Sequence, residues 1–314
     1  GEFNCSCVGI SKCLPAYCKD DTPNACYTDI PAGDLAVAEG YGNLMGKKAR
    51  AILNKAKGGL GSRTPGVHRI VFLRHGESEW NVANIFTGWA DVDLSETGKS
   101  EAVEAGQMLR DECFKFDIVF TSMLRRSIKT AWTACMELEQ YSMPIINTWR
   151  LNERHYGGLQ GLNKAETAAQ HGEKQVKIWR RSYDIPPPAV SSSDPRHPAS
   201  DPMYKHVPKA ALPGAESLAM TVDRVMPFWN DTIAPCVMAG KSCLVAAHGN
   251  SLRAICKYLD GMTETDVIEL NIPTGVPLVY ELDGNLNVLN KYYLLDDASV
   301  KEKLEGVANQ GKAK

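Results

Sequence analysis

The sequence contains no run of about 18 apolar residues, the length a helix needs to cross a bilayer, so no membrane-spanning helix is expected. Its first residues lack the basic-then-apolar pattern of a secretory signal. Charge of one sign is not in excess: 35 Lys and Arg against 37 Asp and Glu leave a net charge of -2. Nothing in that balance draws nucleic acid, and an anionic partner must be met by a local group of cations. There is no CxxC pair, and no Asp/His group has convincing metal-ligand spacing. No internal repeat is present.

What is there describes a globular chain: 314 residues, 44% hydrophobic and 23% charged, enough for one large core or two small ones. Five of the ten cysteines (Cys113, Cys135, Cys236, Cys243, Cys256) are scattered through apolar or helical stretches and read as reduced core residues of an intracellular enzyme. The other five (Cys5, Cys7, Cys13, Cys18, Cys26) crowd into the first 26 residues. As disulfides their odd number would leave one thiol over. Residues 34–57 carry a helical pattern with Asp34 as a cap and a basic end from Lys47 to Lys57. A Gly- and Pro-rich run at 58–66 reads as a linker, which divides the chain into an extension (1–66) and a main domain (67–314). A redox-sensitive or disulfide-bonded arm, an interaction element, disorder and the remnant of an organelle-targeting leader all stay open for the extension.

Past the linker, short apolar runs at His68–Leu73, Asp117–Phe120 and Ser242–Ala247 read as buried strands. Helical patterns lie between and around them at Thr97–Glu112, Met123–Leu138 and Glu216–Ile233. The alternation predicts an α/β fold with a mainly parallel central sheet flanked by helices. Residues 276–293 read as a hairpin turning at Asp283-Gly284, and Asp184–Gly214, with eight prolines, as a long surface excursion. Trp89, Trp132 and Trp149 read as core.

Two strand ends carry the chemistry. Leu73-Arg74-His75-Gly76-Glu77-Ser78 follows the first strand directly, and Ala247-His248-Gly249-Asn250-Ser251 follows another and opens a helix. Ligands of open α/β sheets sit beyond the carboxyl ends of strands. A histidine there, followed by a glycine that lets the backbone approach a ligand, is a good nucleophile position. Arg74 can fork two hydrogen bonds onto a phosphate. His75 would attack phosphorus, and His248 with backbone N–H groups after Gly249 would stabilise the transferring phosphoryl group.

With both motifs placed, the chain from about Val67 to Lys314 resembles the cofactor-dependent phosphoglycerate mutases of the histidine phosphatase superfamily. The resemblance rests on Arg74–Ser78 with Trp80-Asn81, Phe86-Thr87-Gly88-Trp89, Asp93-Leu94-Ser95, Leu151–Gly157, Gln160–Lys164, Trp179-Arg180-Arg181, His248–Arg253, Ile272–Pro277 and the closing Asn309–Lys314. It implies interconversion of 3-phosphoglycerate and 2-phosphoglycerate, priming of His75 by 2,3-bisphosphoglycerate, and no metal. It implies that Glu153 is the acid–base carboxyl group and that Arg74, Arg126, Lys164, Arg180 and Arg181 are the ligand-binding cations. Arg74 and Arg126 join His75, Glu153 and His248 as catalytic, and Asn81, Thr87, Gly88, Tyr156, Gly249 and Asn250 are implied as neutral contacts. Arg125 reads as a solvated neighbour of Arg126.

The expected partners are a small-molecule substrate, a second copy of the chain in a homo-oligomer, and a protein partner for residues 1–57, with no nucleic acid. The enzyme part reads as cytoplasmic; the extension leaves an organelle open. Two alternatives remain: a bisphosphoglycerate mutase or phosphatase, and a mutase recruited through its extension as a structural subunit of a larger assembly.

Overall fold

The computed structural model describes residues 66–309. The expectations for the cysteine cluster, the basic helix, the linker and the final residues fall on 1–65 and 310–314, outside the described residues.

Six strands form one sheet: β1 (His68–Arg74), β2 (Ile118–Thr121), β3 (Ile145–Asn147), β4 (Cys243–Ala247), β5 (Leu278–Leu282) and β6 (Val288–Tyr293), in the order β3-β2-β4-β1-β5-β6. β3, β2, β4 and β1 run parallel, while β5 and β6 add an antiparallel margin. This is the mainly parallel α/β sheet expected from the sequence. Ile70, Val71, Phe72 and Leu73 are all fully buried, as is every residue of β4. Neighbouring residues of a strand point to opposite faces, so both faces of the sheet are covered, which is why these strands read as unbroken apolar runs. Ile70, Phe72, Phe120 and Val245 share one cluster with Trp229, Ile233, Leu252 and Ile255 of the flanking helices. Full burial of each such side chain contributes about 1.5–3 kcal/mol.

The flanking helices are α1 (Glu79–Val82), α2 (Glu96–Asp111), α3 (Arg125–Glu137), α4 (Lys164–His171), α5 (Glu173–Arg181), α6 (Leu218–Phe228), α7 (Ala234–Met238), α8 (Gly249–Leu259), α9 (Glu264–Glu269) and α10 (Asp297–Asn309). Where a single helix was expected over Glu216–Ile233, the chain forms α6, a π turn over Trp229–Ile233, and then α7. Pro227 and Pro235 lack the N–H that an unbroken ladder needs, and the wider turn absorbs the loss. Ser217 caps α6 by accepting from the Met220 N–H at 3.2 Å, so Glu216 lies outside the helix.

Two further expectations are corrected, and one strand was not anticipated. The hairpin does not turn on Asp283-Gly284 alone: residues 283–287 separate the strands, the Asp283 carboxylate accepts from the N–H groups of Asn285 and Asn287, and the positive φ falls on Leu286. Trp132 is not core but 55% exposed, on the outer side of α3. Strand β3 was missed because three residues are too few to show a period. The proline-rich excursion does leave the sheet. It is pinned by buried Val190, His197, Tyr204 and Leu212, and it forms three single 3-10 turns.

The register places the site. β1 and β4 lie side by side and parallel, with Arg74 opposite Ala247. The two histidines that follow these residues therefore leave the sheet together at its carboxyl end, and the His75 N–H donates to the Ala247 carbonyl at 3.0 Å.

Candidate active site

His75 and His248 meet edge to face, with ring centroids 4.8 Å apart. Nδ1 of His75 lies 2.6 Å from the Gly76 carbonyl, which can only accept. The proton is therefore on Nδ1, and Nε2 keeps its lone pair. Burial, reinforced by the Arg126 and Arg74 guanidinium groups, holds the His75 pKa well below the usual range. The ring is neutral at physiological pH, as a nucleophile must be. His248 is fully buried and neutral for the same reason, burial first and then Arg126. Its Nε2 meets the Ser122 hydroxyl at 2.8 Å, while its buried Nδ1 has no partner.

The loop after His75 is pressed onto the start of α2. A Cβ on Gly98 would stand 1.9 Å from the Glu77 carbonyl oxygen, and one on Gly76 would stand 2.1 Å from that of Gly98. Only glycine fits at either position. The sequence reading picked out Gly76 and missed Gly98, because the contact it serves spans 21 residues of chain. The Glu77 N–H also donates to Glu101 at 2.7 Å.

Arg74 ends β1, donates Nη1 to the Ile272 carbonyl at 2.7 Å, and leaves its buried Nε without a partner. Arg126 is 1% exposed and held by the carbonyls of Gly88 and Ala90 at 2.8 and 2.9 Å. Burial lowers its pKa to about 10, which leaves it charged at neutral pH. Arg125, by contrast, pairs with Asp91 at the surface at 3.0 Å, as expected of a solvated neighbour. The carboxylate of Glu153 accepts from Asn250 Nδ2 and from the Arg154 N–H, both at 2.7 Å, and so ties its loop to the first turn of α8. Gly88 adopts a positive φ of 54°, and the Gln160 side chain occupies the space where a Cβ would stand while accepting from the Trp89 N–H at 2.7 Å.

One pocket is lined by Arg74, His75, Asn81, Thr87, Gly88, Arg126, Glu153, Tyr156, Lys164, Arg180, Arg181, Gly249 and Asn250. Every candidate from the sequence is in that wall except His248, which lies behind His75. The wall also holds residues that sequence reasoning did not assign, among them Arg253 from α8 and Val307 from α10. Arg253 belonged to a quoted motif and stands one turn beyond Asn250, whose side-chain oxygen it meets at 3.1 Å. Val307 carried no signal at all.

Six cations face one acid, Glu153, in this wall. Burial alone would push the Tyr156 phenol up, but Arg154, 4.6 Å from its ring centroid, and then Arg180 outweigh it and the shift is downward. Burial, with Arg180 and Arg74, lowers Lys164 to about 8. A bound anion restores the charged ammonium, so binding takes up a proton where free Lys164 is neutral. Affinity for a phosphate-bearing ligand should therefore fall as pH rises past about 8, by up to about tenfold per pH unit, and titration calorimetry from pH 7 to 9.5 would measure it. Lys164→Met should bind more weakly and lose this dependence; an unchanged slope would place the titrating group elsewhere.

A neutral nucleophilic histidine, a second buried histidine, a carboxyl group and a ring of cations, with the buried Arg74 Nε unpartnered, define a site for phosphoryl transfer. The family model of the histidine phosphatase superfamily, branch 1, matches residues 70–294, and the chain belongs to that superfamily. Two curated relatives, from the ZS7 and B31 strains of Borreliella burgdorferi, are each 57% identical over 248 residues, covering 79% of this chain and 100% of the relative. Both carry the name 2,3-bisphosphoglycerate-dependent phosphoglycerate mutase. Among solved structures, a mycobacterial glucosyl-3-phosphoglycerate phosphatase in complex with VO3 aligns with a TM-score of 0.55 at 22% identity, covering 73% of this chain and 98% of its own. A protein titled mycobacterial hydrolase 2 aligns with a TM-score of 0.53 at 20% identity, covering 79% and 99%. The likeness to these two is one of fold.

Proposed function

We infer that the protein is a 2,3-bisphosphoglycerate-dependent phosphoglycerate mutase, an isomerase of glycolysis and gluconeogenesis that interconverts 3-phosphoglycerate and 2-phosphoglycerate. The observation that carries this is the 57% identity over the full length of relatives bearing that name. The pocket fits such a ligand: two phosphates and a carboxylate need several cations, and the buried Arg74 Nε in its wall has no protein partner.

When bound, 2,3-bisphosphoglycerate supplies the phosphoryl group that primes the enzyme. His75 accepts it on Nε2, with the Nδ1 proton held on the Gly76 carbonyl throughout. Arg74 and Arg126 compensate charge on the transferring oxygens, while neutral His248, packed edge to face against the His75 ring, supports the phosphorylated imidazole. Glu153 takes the proton from the attacking hydroxyl and returns it to the leaving one. Lys164, Arg180 and Arg181 hold the remaining anionic groups, with Asn81, Thr87, Gly88, Tyr156, Gly249 and Asn250 as neutral contacts. Val307 of α10 adds an apolar element to the wall. Exclusion of water from the ligand-filled pocket would favour return of the phosphoryl group to a glycerate hydroxyl over hydrolysis.

A homo-oligomer belongs to the same reading. Trp132 and Met136, one turn apart on α3, are 55% and 61% exposed, and Ile146 of edge strand β3 is 37% exposed. Such an edge invites a partner. No helix among the described residues is long and apolar enough to cross a membrane. A cytoplasmic location accords with the glycolytic role.

A coupled assay of 3-phosphoglycerate conversion tests the whole. Turnover should be stimulated by 2,3-bisphosphoglycerate and survive EDTA. Folded protein without turnover would remove the mutase reading and bring forward the recruited subunit.

A further inference from the structure

On the mutase reading, Glu153 must place a carboxyl oxygen within hydrogen-bond reach of a substrate hydroxyl. Its loop is irregular and has no strand to pair with. Buried carbonyls in such a loop need donors from elsewhere. Most of them come from one side chain. Arg224 of α6, 6% exposed, donates to the carbonyls of Trp149, Arg150 and Asn152 at 3.1, 2.7 and 3.1 Å, and to that of Glu153 itself at 3.1 Å. Its Nε and Nη2 are meanwhile clamped by the two oxygens of Glu216, at 2.6 and 2.9 Å. Glu216, 2% exposed, also accepts from the His155 N–H at 2.8 Å. The ion pair thus grips the chain on both sides of Glu153. The Trp89 indole N–H adds a second donor to the Glu153 carbonyl at 2.5 Å.

We propose that Arg224, oriented by Glu216, is a positioning residue that aims the Glu153 carboxyl group for proton transfer. A buried ion pair is a poor device for stability alone, because desolvation offsets most of the attraction. A guanidinium offers five donors in a rigid fork, which suits a cluster of carbonyls; a lysine ammonium cannot reproduce it. The backbone is fixed by Arg224 and Trp89, the carboxylate by Asn250, and between them the side chain has little freedom. A misplacement of about 1 Å in such a group costs on the order of 100-fold in rate.

The experiment separates aim from fold through the leaving group. His75 phosphorylation by 2,3-bisphosphoglycerate expels a basic alkoxide that needs a proton from Glu153. Phosphorylation by p-nitrophenyl phosphate expels a weakly basic phenolate that does not. With folding checked by circular dichroism, Arg224→Lys and Glu216→Gln should each slow the first reaction and kcat by about tenfold or more. They should leave the aryl phosphate reaction and the KM for 3-phosphoglycerate within about threefold. Equal loss from both donors would make the pair merely structural, and no loss from either would leave Glu153 aimed without it; both results overturn the proposal. Should Arg224→Lys not fold, Trp89→Phe removes only the indole donor from the same carbonyl and is read by the same comparison. Wild-type protein without 2,3-bisphosphoglycerate-dependent turnover would instead overturn the mutase reading itself.

Discussion

Replacing His75 with alanine should lower 2,3-bisphosphoglycerate-dependent turnover by about 10⁴-fold or more, the loss expected when a covalent nucleophile is removed. Nothing near it can substitute. His248 is the nearest imidazole, but it is fully buried behind His75 and engaged with Ser122. Arg74 and Arg126 are cations and have no lone pair to offer. The variant should fold, since His75 makes its backbone bond to Ala247 through its N–H, which alanine retains. The direct measurement is labelled phosphate trapped on the protein. Wild type should carry acid-labile, base-stable phosphate after exposure to 2,3-bisphosphoglycerate, and His75→Ala none. Acid-labile phosphate on the variant would move the nucleophile to another histidine.

Glu153→Gln is the second large effect. Glutamine keeps the shape of the side chain and can still accept from Asn250 Nδ2 and the Arg154 N–H, the two bonds that orient the carboxylate. What it loses is the ability to take up and release a proton. Loss of a positioned general acid–base group costs about 10²–10⁴-fold. Formation of phosphohistidine from 2,3-bisphosphoglycerate is the reverse of transfer to a glycerate hydroxyl, so both must slow together. Phosphorylation by an aryl phosphate should be far less affected. Rapid-quench rates for charging and discharging His75 would show it. If only discharge slowed, Glu153 would have a role other than proton transfer.

The parallel sheet was legible because β1, β2 and β4 are covered on both faces, so burial is written as unbroken apolar runs with no partner needed to interpret them. β3 was not, because three residues at the sheet edge form no pattern. The π turn after Phe228 was not, because the helical period of the apolar face carries on across Pro227 while the hydrogen-bond ladder does not. Within the site, His75 and His248 stood out because each follows a strand that reads by itself. Glu153, Tyr156, Lys164, Arg180 and Arg181 had no local signature and were picked out only through the family resemblance.

By itself, then, the sequence determined the strand ends at Ala247 and, one residue short of the observed Arg74, at Leu73, the glycines that follow both histidines, and the family to which the chain belongs. Local geometry and a long motif pattern suffice for these. Only the tertiary structure decided that Gly98 must be glycine, that Arg253 and Val307 face the pocket, and that Arg224 and Glu216 grip the loop of Glu153. The carbonyls that Arg224 holds lie 71–75 residues away from it in sequence, and the Glu77 carbonyl against Gly98 lies 21 away. Contacts of that range leave no period and no motif, because the groups that meet are set by how the helices close over the sheet.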